Sequence, residues 1–254
     1  MTLSFAETLH MRHRFWRCRF KSEAPSIRFI LESDFAGGTL LDIGANKGVF
    51  SYYMSRAAGP TGTVYAFEAQ PELGPHLEAV RATFALDNLR IVNKGLSSAP
   101  GTMTLHRDAA GSGTASFHHG AGDLETIEIP VTTLDDYLGE VGRPPVRFIK
   151  CDVEGHELEV FRGAEQTLRR DGPELLFECH HSEAEDGRLF DFLTGLGYDG
   201  AFFHVDPADH RSLLRRTRGR YVHFSEFARH PYARPGVRHR NYLFSRSSRP
   251  VRVS

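Results

Sequence analysis

The densest chemical signal in the chain is LLDIGANKGVF, residues 40–50. An apolar run ends there in a turn bearing Gly44 and Gly48, and helix-forming sequence follows at once. Glycines at such a turn let the backbone approach a ligand closely, and the helix start presents unpaired N–H groups. Glu68 ends the next apolar run. A carboxylate in that position is placed to accept hydrogen bonds from two ribose hydroxyls, the general geometry for an adenosine-type ligand in a parallel sheet.

Two departures narrow the ligand. A dinucleotide fingerprint requires G-x-G-x-x-G to bring the backbone against a pyrophosphate, and G-A-N-K-G (Gly44, Ala45, Asn46, Lys47, Gly48) breaks it at the second glycine. Asp42, just before the turn, would repel a pyrophosphate but suits a cationic sulfonium or an α-ammonium group. S-adenosylmethionine carries both cations and no phosphate, so it is the expected cofactor. A dinucleotide, or a helix-capping turn that binds nothing, are the alternatives.

A second cluster, CDVEGHE at 151–157, follows a later apolar run. If the expected cofactor donates its methyl group, the transfer is an in-line displacement from an activated donor, and the chain's main task would be orientation and exclusion of water. An alcohol acceptor must also lose a proton, and a positioned base typically contributes about 10²–10⁴-fold. His156 is the best candidate for that base, with an ordinary pKa of about 6.5; the plainer reading is a capping histidine in the first helical turn. Asp152 and Glu154 could orient the acceptor, contact the cofactor amine or together hold a divalent cation, since hard cations favour carboxylate oxygens. No full ligand set is evident, so a metal is not the favoured reading, and Glu154 also reads as a helix cap. His180 and His181 end the next apolar run, and adjacent strand residues point to opposite faces, so at most one faces the site. Glu178 shares a face with His180. Cys151 and Cys179 read as small core residues. Lys150 is odd within an apolar strand and could pair with Asp42 or Asp152.

These residues must be positioned by alternating strands and helices. The pattern predicts an α/β fold, a doubly wound and mostly parallel seven-stranded sheet, with one domain over 39–254 and a helical extension over 1–38. Strands are predicted at Thr39–Ile43, Val64–Glu68, Arg90–Leu96, Val146–Cys151, Leu175–Cys179, Phe202–Val205 and Asn241–Ser245. Helices are predicted at Val49–Ala58, from Pro71 toward Leu86, through Leu158, Phe161, Ala164 and Leu168, and at Leu189–Leu196. Thr102–His106 and Thr126–Val131 read as extended. Between them AAGSGTASFHHGAGD cannot pack a core. The stretch 109–123, with Ser116, Phe117, His118 and His119, is either a lid over the acceptor or a plain surface loop.

Bulk properties bound the rest. A chain of 254 residues with net charge −1 suits one α/β domain and gives no global reason to expect nucleic acid or an anionic membrane. No apolar stretch approaches the roughly 18 residues of a membrane span. The N-terminus does not read as a secretory signal, and Cys18, Cys151 and Cys179 show no CxxC spacing, so a reduced, cytoplasmic setting is expected. From Arg211 onward the chain is rich in arginine, with Glu226 its only acid. That end could meet nucleic acid, an anionic acceptor or another subunit, or form a solvated surface.

Taken in order, LDIGANKGVFS (41–51), VYAFEAQP (64–71) and FIKCDVEGHELEVFRGA (148–164) resemble the FkbM-type methyltransferase family, with NKGLSSAPGTMTL, VTTLDDYL and PELLFECH as linking segments. The likeness covers about residues 39–181. FEAQP departs mildly from the more usual FEPxP but keeps the acid. The resemblance implies a class I methyltransferase fold and O-methylation of sugars or other secondary-metabolite hydroxyls. It implies that Asp42, Gly44, Asn46 and Gly48, with Ala45 among them, hold the methionine part of the cofactor. Glu68 would hold the ribose, and Leu96 and Ser97 would border the adenine. The expected partner is thus a small-molecule or carbohydrate-like acceptor, with a homo-oligomer left open. The rivals are an RNA or protein methyltransferase using the basic C-terminal region, a non-catalytic S-adenosylmethionine-binding protein, and a nicotinamide-dependent oxidoreductase. DVEG, where adenine amino-methylases often carry D/N-P-P-Y/F, disfavours the nucleic acid reading.

Overall fold

The structure, a computed structural model, describes residues 1–118, 124–179, 186–205, 219–229 and 241–246. Its centre is a parallel sheet of buried strands. β1 (Thr39–Ile43) lies between β2 (Thr63–Phe67) and β7 (Val146–Cys151), parallel to both. β3 (Leu89–Val92) extends the sheet beyond β2, and β8 (Glu174–Phe177) extends it beyond β7, both parallel. β11 (Tyr242–Arg246) then runs antiparallel between β8 and β9 (Tyr198–Val205). All five residues of β1 are buried, as expected of a strand covered on both faces.

The seven strands expected are present, and an eighth, β10 (Gly219–His223), pairs antiparallel with β9 at the edge. The expected third strand divides. β3 stops at Val92, while Gly95–Leu96 forms β4, which joins β5 (Gly101–Arg107) and β6 (Glu125–Thr132) in a separate three-stranded sheet ordered β4-β6-β5.

Helices cover both faces. α1 (Phe5–Arg17) opens with a capping box in which Ser4 and Glu7 satisfy each other's backbone N–H. A π-helical turn links it to α2 (Ala24–Glu32). This N-terminal segment is part of the core layer: Phe15 stacks on Tyr52 at 4.2 Å, and its carbonyl accepts from the Tyr53 hydroxyl. Met11, Phe15, Ile27 and Ile30 share one apolar cluster with Leu40, Phe148 and Leu176. α3 (Val49–Ala58) and α4 (Leu73–Thr83) follow β1 and β2, and α5 (Leu134–Glu140) precedes β7.

Beyond β7, the helical period suggests one helix where the structure has two, α6 (Glu157–Arg162) and α7 (Glu165–Asp171). The cause is tertiary. A Cβ at Gly163 would lie 2.1 Å from the Ser97 carbonyl oxygen, so only glycine admits the chain there. Asp135 restarts the helix by accepting from the N–H groups of Gln166 and Thr167. α8 (Arg188–Gly195) leads into β9. Among the described residues no helix is long and apolar enough to cross a membrane.

Candidate functional site: a cleft at the sheet switch point

β1 has its sequential neighbour β2 on one side and the distant β7 on the other. Open α/β sheets bind ligands beyond the carboxyl end of the strands at such a switch. A cavity of about 150 Å³ lies there. Its walls include Gly44 and Asn46 of the turn, Glu68 and Gln70 after β2, Lys94 to Leu96, and Asp152 to Glu154 after β7. Phe117 lines it from the loop after β5.

The glycine turn is held from both sides. The N–H groups of Gly44 and Ala45 donate to the Phe67 carbonyl at 3.0 and 2.9 Å, and the Asn46 N–H donates to Glu68 Oε2 at 2.8 Å. Gly44 has φ 74°, and a Cβ on it would sit 1.9 Å from the Asp152 carbonyl oxygen. Glycine is needed here because the chain leaving β7 passes so close, a demand distinct from the ligand approach read in the sequence. Asn46 also has positive φ, 48°, a conformation asparagine tolerates better than most residues.

Glu68 is 5% exposed and lines the cavity. Its second oxygen accepts from the Gln70 N–H at 2.9 Å. Each carboxylate oxygen has two acceptor positions, so one on each remains for a ligand. Burial pushes the carboxyl above its ordinary range, while the Gln70 and Asn46 N–H donors and the Lys150 ammonium pull the other way.

Asp42 sits behind the turn. It is fully buried, accepts from Ser51 Oγ at 2.5 Å and lies 3.6 Å from Lys150 Nζ. Strand alternation turns it toward α3, as it does Leu40, so its carboxylate does not line the cavity as the sequence reading supposed. Lys150 is opposite it in the β1–β7 register, 4% exposed, 3.4 Å from Asp152 and donating to the Gly44 carbonyl at 3.0 Å. The lysine therefore serves both acids that the sequence offered as alternatives. Burial alone would lower its pKa, yet Asp152 and Asp42 hold it above the ordinary value.

Asp152 and Glu154 line the cavity, but His156 does not. His156 is 3% exposed, its Nε2 lies 3.0 Å from Ser97 Oγ, and Phe117 meets its ring edge-on at 5.0 Å. Burial, with His118 nearby, lowers its pKa to about 4. Leu96 lines the cavity, whereas Ser97 lies behind it as the partner of His156. Among the described residues no cluster of three or more His, Cys, Asp or Glu is arranged to hold a metal. His119, His180, His181 and most of the arginine-rich end lie outside the described residues.

His156 carries a pH signature of its own. Between its ordinary pKa near 6.5 and the folded value near 4, the unfolded chain binds a proton that the folded one refuses, so stability falls as pH falls. Urea unfolding at pH 7, 6 and 5 is expected to show wild type losing stability relative to His156→Gln. A difference that does not change with pH would contradict this assignment.

Sequence reasoning missed three contributors. Glu157, 1% exposed, accepts from the N–H groups of Val153 and Gly155 and so braces the loop after β7. Gln70 accepts from the Gly111 N–H and donates to the Ser112 carbonyl, fastening the loop after β5 over the cavity. Lys94, in the gap between β3 and β4, lines the wall. The FEAQP and NKGL segments held the signal for the last two, because residues just beyond strand ends line such clefts.

A family model, the methyltransferase FkbM domain, matches residues 42–200. The chain belongs to this family. Among similar proteins, the hexuronic acid methyltransferase AglP of Haloferax volcanii is 32% identical over 168 residues, covering 64% of this chain and 65% of AglP. Methyltransferase 1 of Beauveria bassiana is 29% identical over 143 residues, covering 49% of this chain and 57% of that protein. The matched stretches thus span less than two thirds of these curated relatives. The crystal structure of methyltransferase FkbM from Methylobacillus flagellatus superposes with a TM-score of 0.53 at 16% identity, covering 84% of this chain and 45% of that one. The O-methyltransferase from Bacillus cereus in complex with SAH gives 0.52 at 11% identity, covering 96% and 91%. These likenesses show the fold, the α/β arrangement of class I methyltransferases, which the FkbM chain shares.

Proposed function

We propose that the chain is an S-adenosylmethionine-dependent methyltransferase acting on a hydroxyl of a sugar or similar small molecule. The observation that carries the reading is Glu68, which faces the cavity at the tip of β2 with an acceptor position open on each oxygen. The remaining walls suit the same nucleoside. Leu96 and Phe117 offer apolar surface for a base, and Asp152 and Glu154 offer negative charge for a sulfonium and an ammonium group. A pyrophosphate is disfavoured, because the Phe67 carbonyl already takes the Gly44 and Ala45 N–H groups and three carboxylates face the space against Lys94.

When bound, this cofactor supplies a methyl group already activated on sulfur. The chain's own tasks are then positional. Glu68 orients the ribose, Asp152 and Glu154 set the charged end, and Lys150 fixes Asp152 and the turn. Residues 109–118 act as a lid, tied by Gln70 and by the Ser116 hydroxyl, which donates to the Glu154 carbonyl at 2.6 Å, while 119–123 lie outside the described residues. Exclusion of water is the expected benefit of such a cover. His156 supports Ser97 and Phe117 from behind the wall. The hexuronic acid named for AglP supports a carbohydrate acceptor.

The test is transfer of labelled methyl from the cofactor to methyl glycosides, methyl glucuronosides, polyketide alcohols and RNA. Label is expected on a sugar or small-molecule hydroxyl, as a base-stable ether. Label in RNA alone, or tight cofactor binding without transfer to any acceptor, would contradict the proposal.

A further inference from the structure

A second cavity, of about 190 Å³, adjoins the first and shares Gly44, Asn46 and Asp152 with it. It opens on the other side of the turn, toward the N-terminal helices. Arg14, Cys18 and Glu23 wall it there, Asn241 enters from before β11, and Glu178 rises just beyond β8.

Of the three acids lining this space, two are committed. Asp152 is paired with Lys150 at 3.4 Å, and Glu23 Oε2 accepts from Asn241 Nδ2 at 2.8 Å. The Glu178 side chain makes no hydrogen bond or ion pair among the described residues, although its N–H is anchored to the Cys151 carbonyl at 3.0 Å. β8 lies directly beside β7, and alternation gives Glu178 the face of Leu176, the face on which Lys150 and Asp152 stand. A carboxylate held at a strand end, without a hydrogen-bond or ion-pair partner among the described residues and facing a cavity continuous with the cofactor cleft, has what a proton acceptor needs.

We infer that the second cavity receives the acceptor and that Glu178 is the catalytic base taking the proton of its hydroxyl. The inference rests on the methyltransferase reading above. The acceptor oxygen forms the new C–O bond as the methyl carbon's bond to sulfur breaks. Sulfur keeps that electron pair as a neutral thioether, and the hydroxyl proton passes to the Glu178 carboxylate. Charge balances, since one sulfonium and one carboxylate are consumed together.

The surroundings tune the group for this work. Burial raises the Glu178 carboxyl to about 7, with Asp152, Glu154 and Glu23 adding repulsion and Lys150 opposing them. Arg14 and Lys47 are the other charged groups lining the cavity. A base with a pKa near the working pH couples a useful ionised fraction to useful proton affinity. His156 has neither access to this cavity nor a free Nε2.

Three readouts on wild type and Glu178→Gln test the inference: ¹³C NMR of labelled glutamate carboxyls, calorimetric affinity for S-adenosylmethionine, and the pH profile of methyl transfer to a methyl glucuronoside or whichever panel sugar takes label. Wild type is expected to show one carboxyl titrating near pH 7 that the variant lacks. The variant's transfer rate is expected to fall by about 10²–10⁴-fold and to lose its rise between pH 6 and 8, with cofactor affinity within about threefold. An unchanged rate and profile, no carboxyl titrating near 7, or an affinity loss as large as the rate loss would each overturn the role of Glu178 alone. Wild type that transfers label to no sugar or other small-molecule hydroxyl of the panel would overturn the proposed function with it.

Discussion

Glu68→Ala is expected to weaken binding of S-adenosylhomocysteine by at least about 100-fold. Two losses combine. The ribose forfeits its charged acceptor, and hydrogen bonds to charged groups contribute about 1.5–3 kcal/mol each. The protein also loses the partner of two backbone donors, Asn46 N–H and Gln70 N–H, in a residue only 5% exposed. Each buried donor left unsatisfied costs about 1–3 kcal/mol, so the turn holding Asn46 at positive φ relaxes as well. Glu68→Gln separates the two contributions. Its amide carbonyl still accepts one N–H, but its NH₂ group faces the other donor, so affinity is expected between wild type and alanine. Calorimetry measures the affinities, and circular dichroism checks that the fold survives. Wild-type affinity in the alanine variant would remove the basis for placing the nucleoside here.

The second large effect is on stability. Lys150→Met strips the cation from between Asp42 and Asp152 and removes the donor to the Ile43 and Gly44 carbonyls. Breaking a buried ion pair by removing one partner costs about 3–5 kcal/mol, because the remaining charge stays buried without compensation. Asp42 is the residue that feels it most, being fully buried, with Ser51 as its hydrogen-bond donor. The double variant Lys150→Met, Asp42→Asn removes that stranded charge and is expected to recover about half or more of the loss in urea unfolding. Equal instability of the single and double variants would mean that the ion pair is not the source. Cofactor affinity is expected to drop in both, since the Gly44 carbonyl loses its anchor either way.

Much of the positioning frame was legible because it is written in local signals. β1 and α3 begin and end where the apolar run, the glycine turn and the helical period place them, and β7 likewise. What escaped depends on distant chain. The break between α6 and α7 is imposed on Gly163 by the Ser97 carbonyl, which no helical period records. The separation of β4 from β3 reflects pairing with β6, a strand some thirty residues later. β10, with its polar GRYVH sequence, is an edge strand defined by its pairing with β9.

The site divides in the same way. Residue types and their order pointed to Gly44, Glu68, Asp152 and Glu154, and the family resemblance added Asn46 and Leu96; all six line the cavity. Direction was harder to read. Asp42 and His156 have suitable chemistry but point into the protein, toward Ser51 and Ser97 respectively. Strand parity could have warned of the first, since Asp42 shares a face with Leu40. The plainer reading of His156 as a residue at the helix start holds, since it is the N-cap of α6. Its direction was not legible, because the loop 152–156 turns through positive φ at Glu154 and Gly155 before α6 begins.

The central claim is that a sulfonium nucleoside lies across the tips of β1 and β2. A crystal grown or soaked with S-adenosylhomocysteine tests it most directly. The ribose hydroxyls are predicted within hydrogen-bond distance of both Glu68 oxygens, with the adenine between Leu96 and Phe117. Density for the nucleoside elsewhere, or a saturated crystal with this cleft empty, would contradict the account.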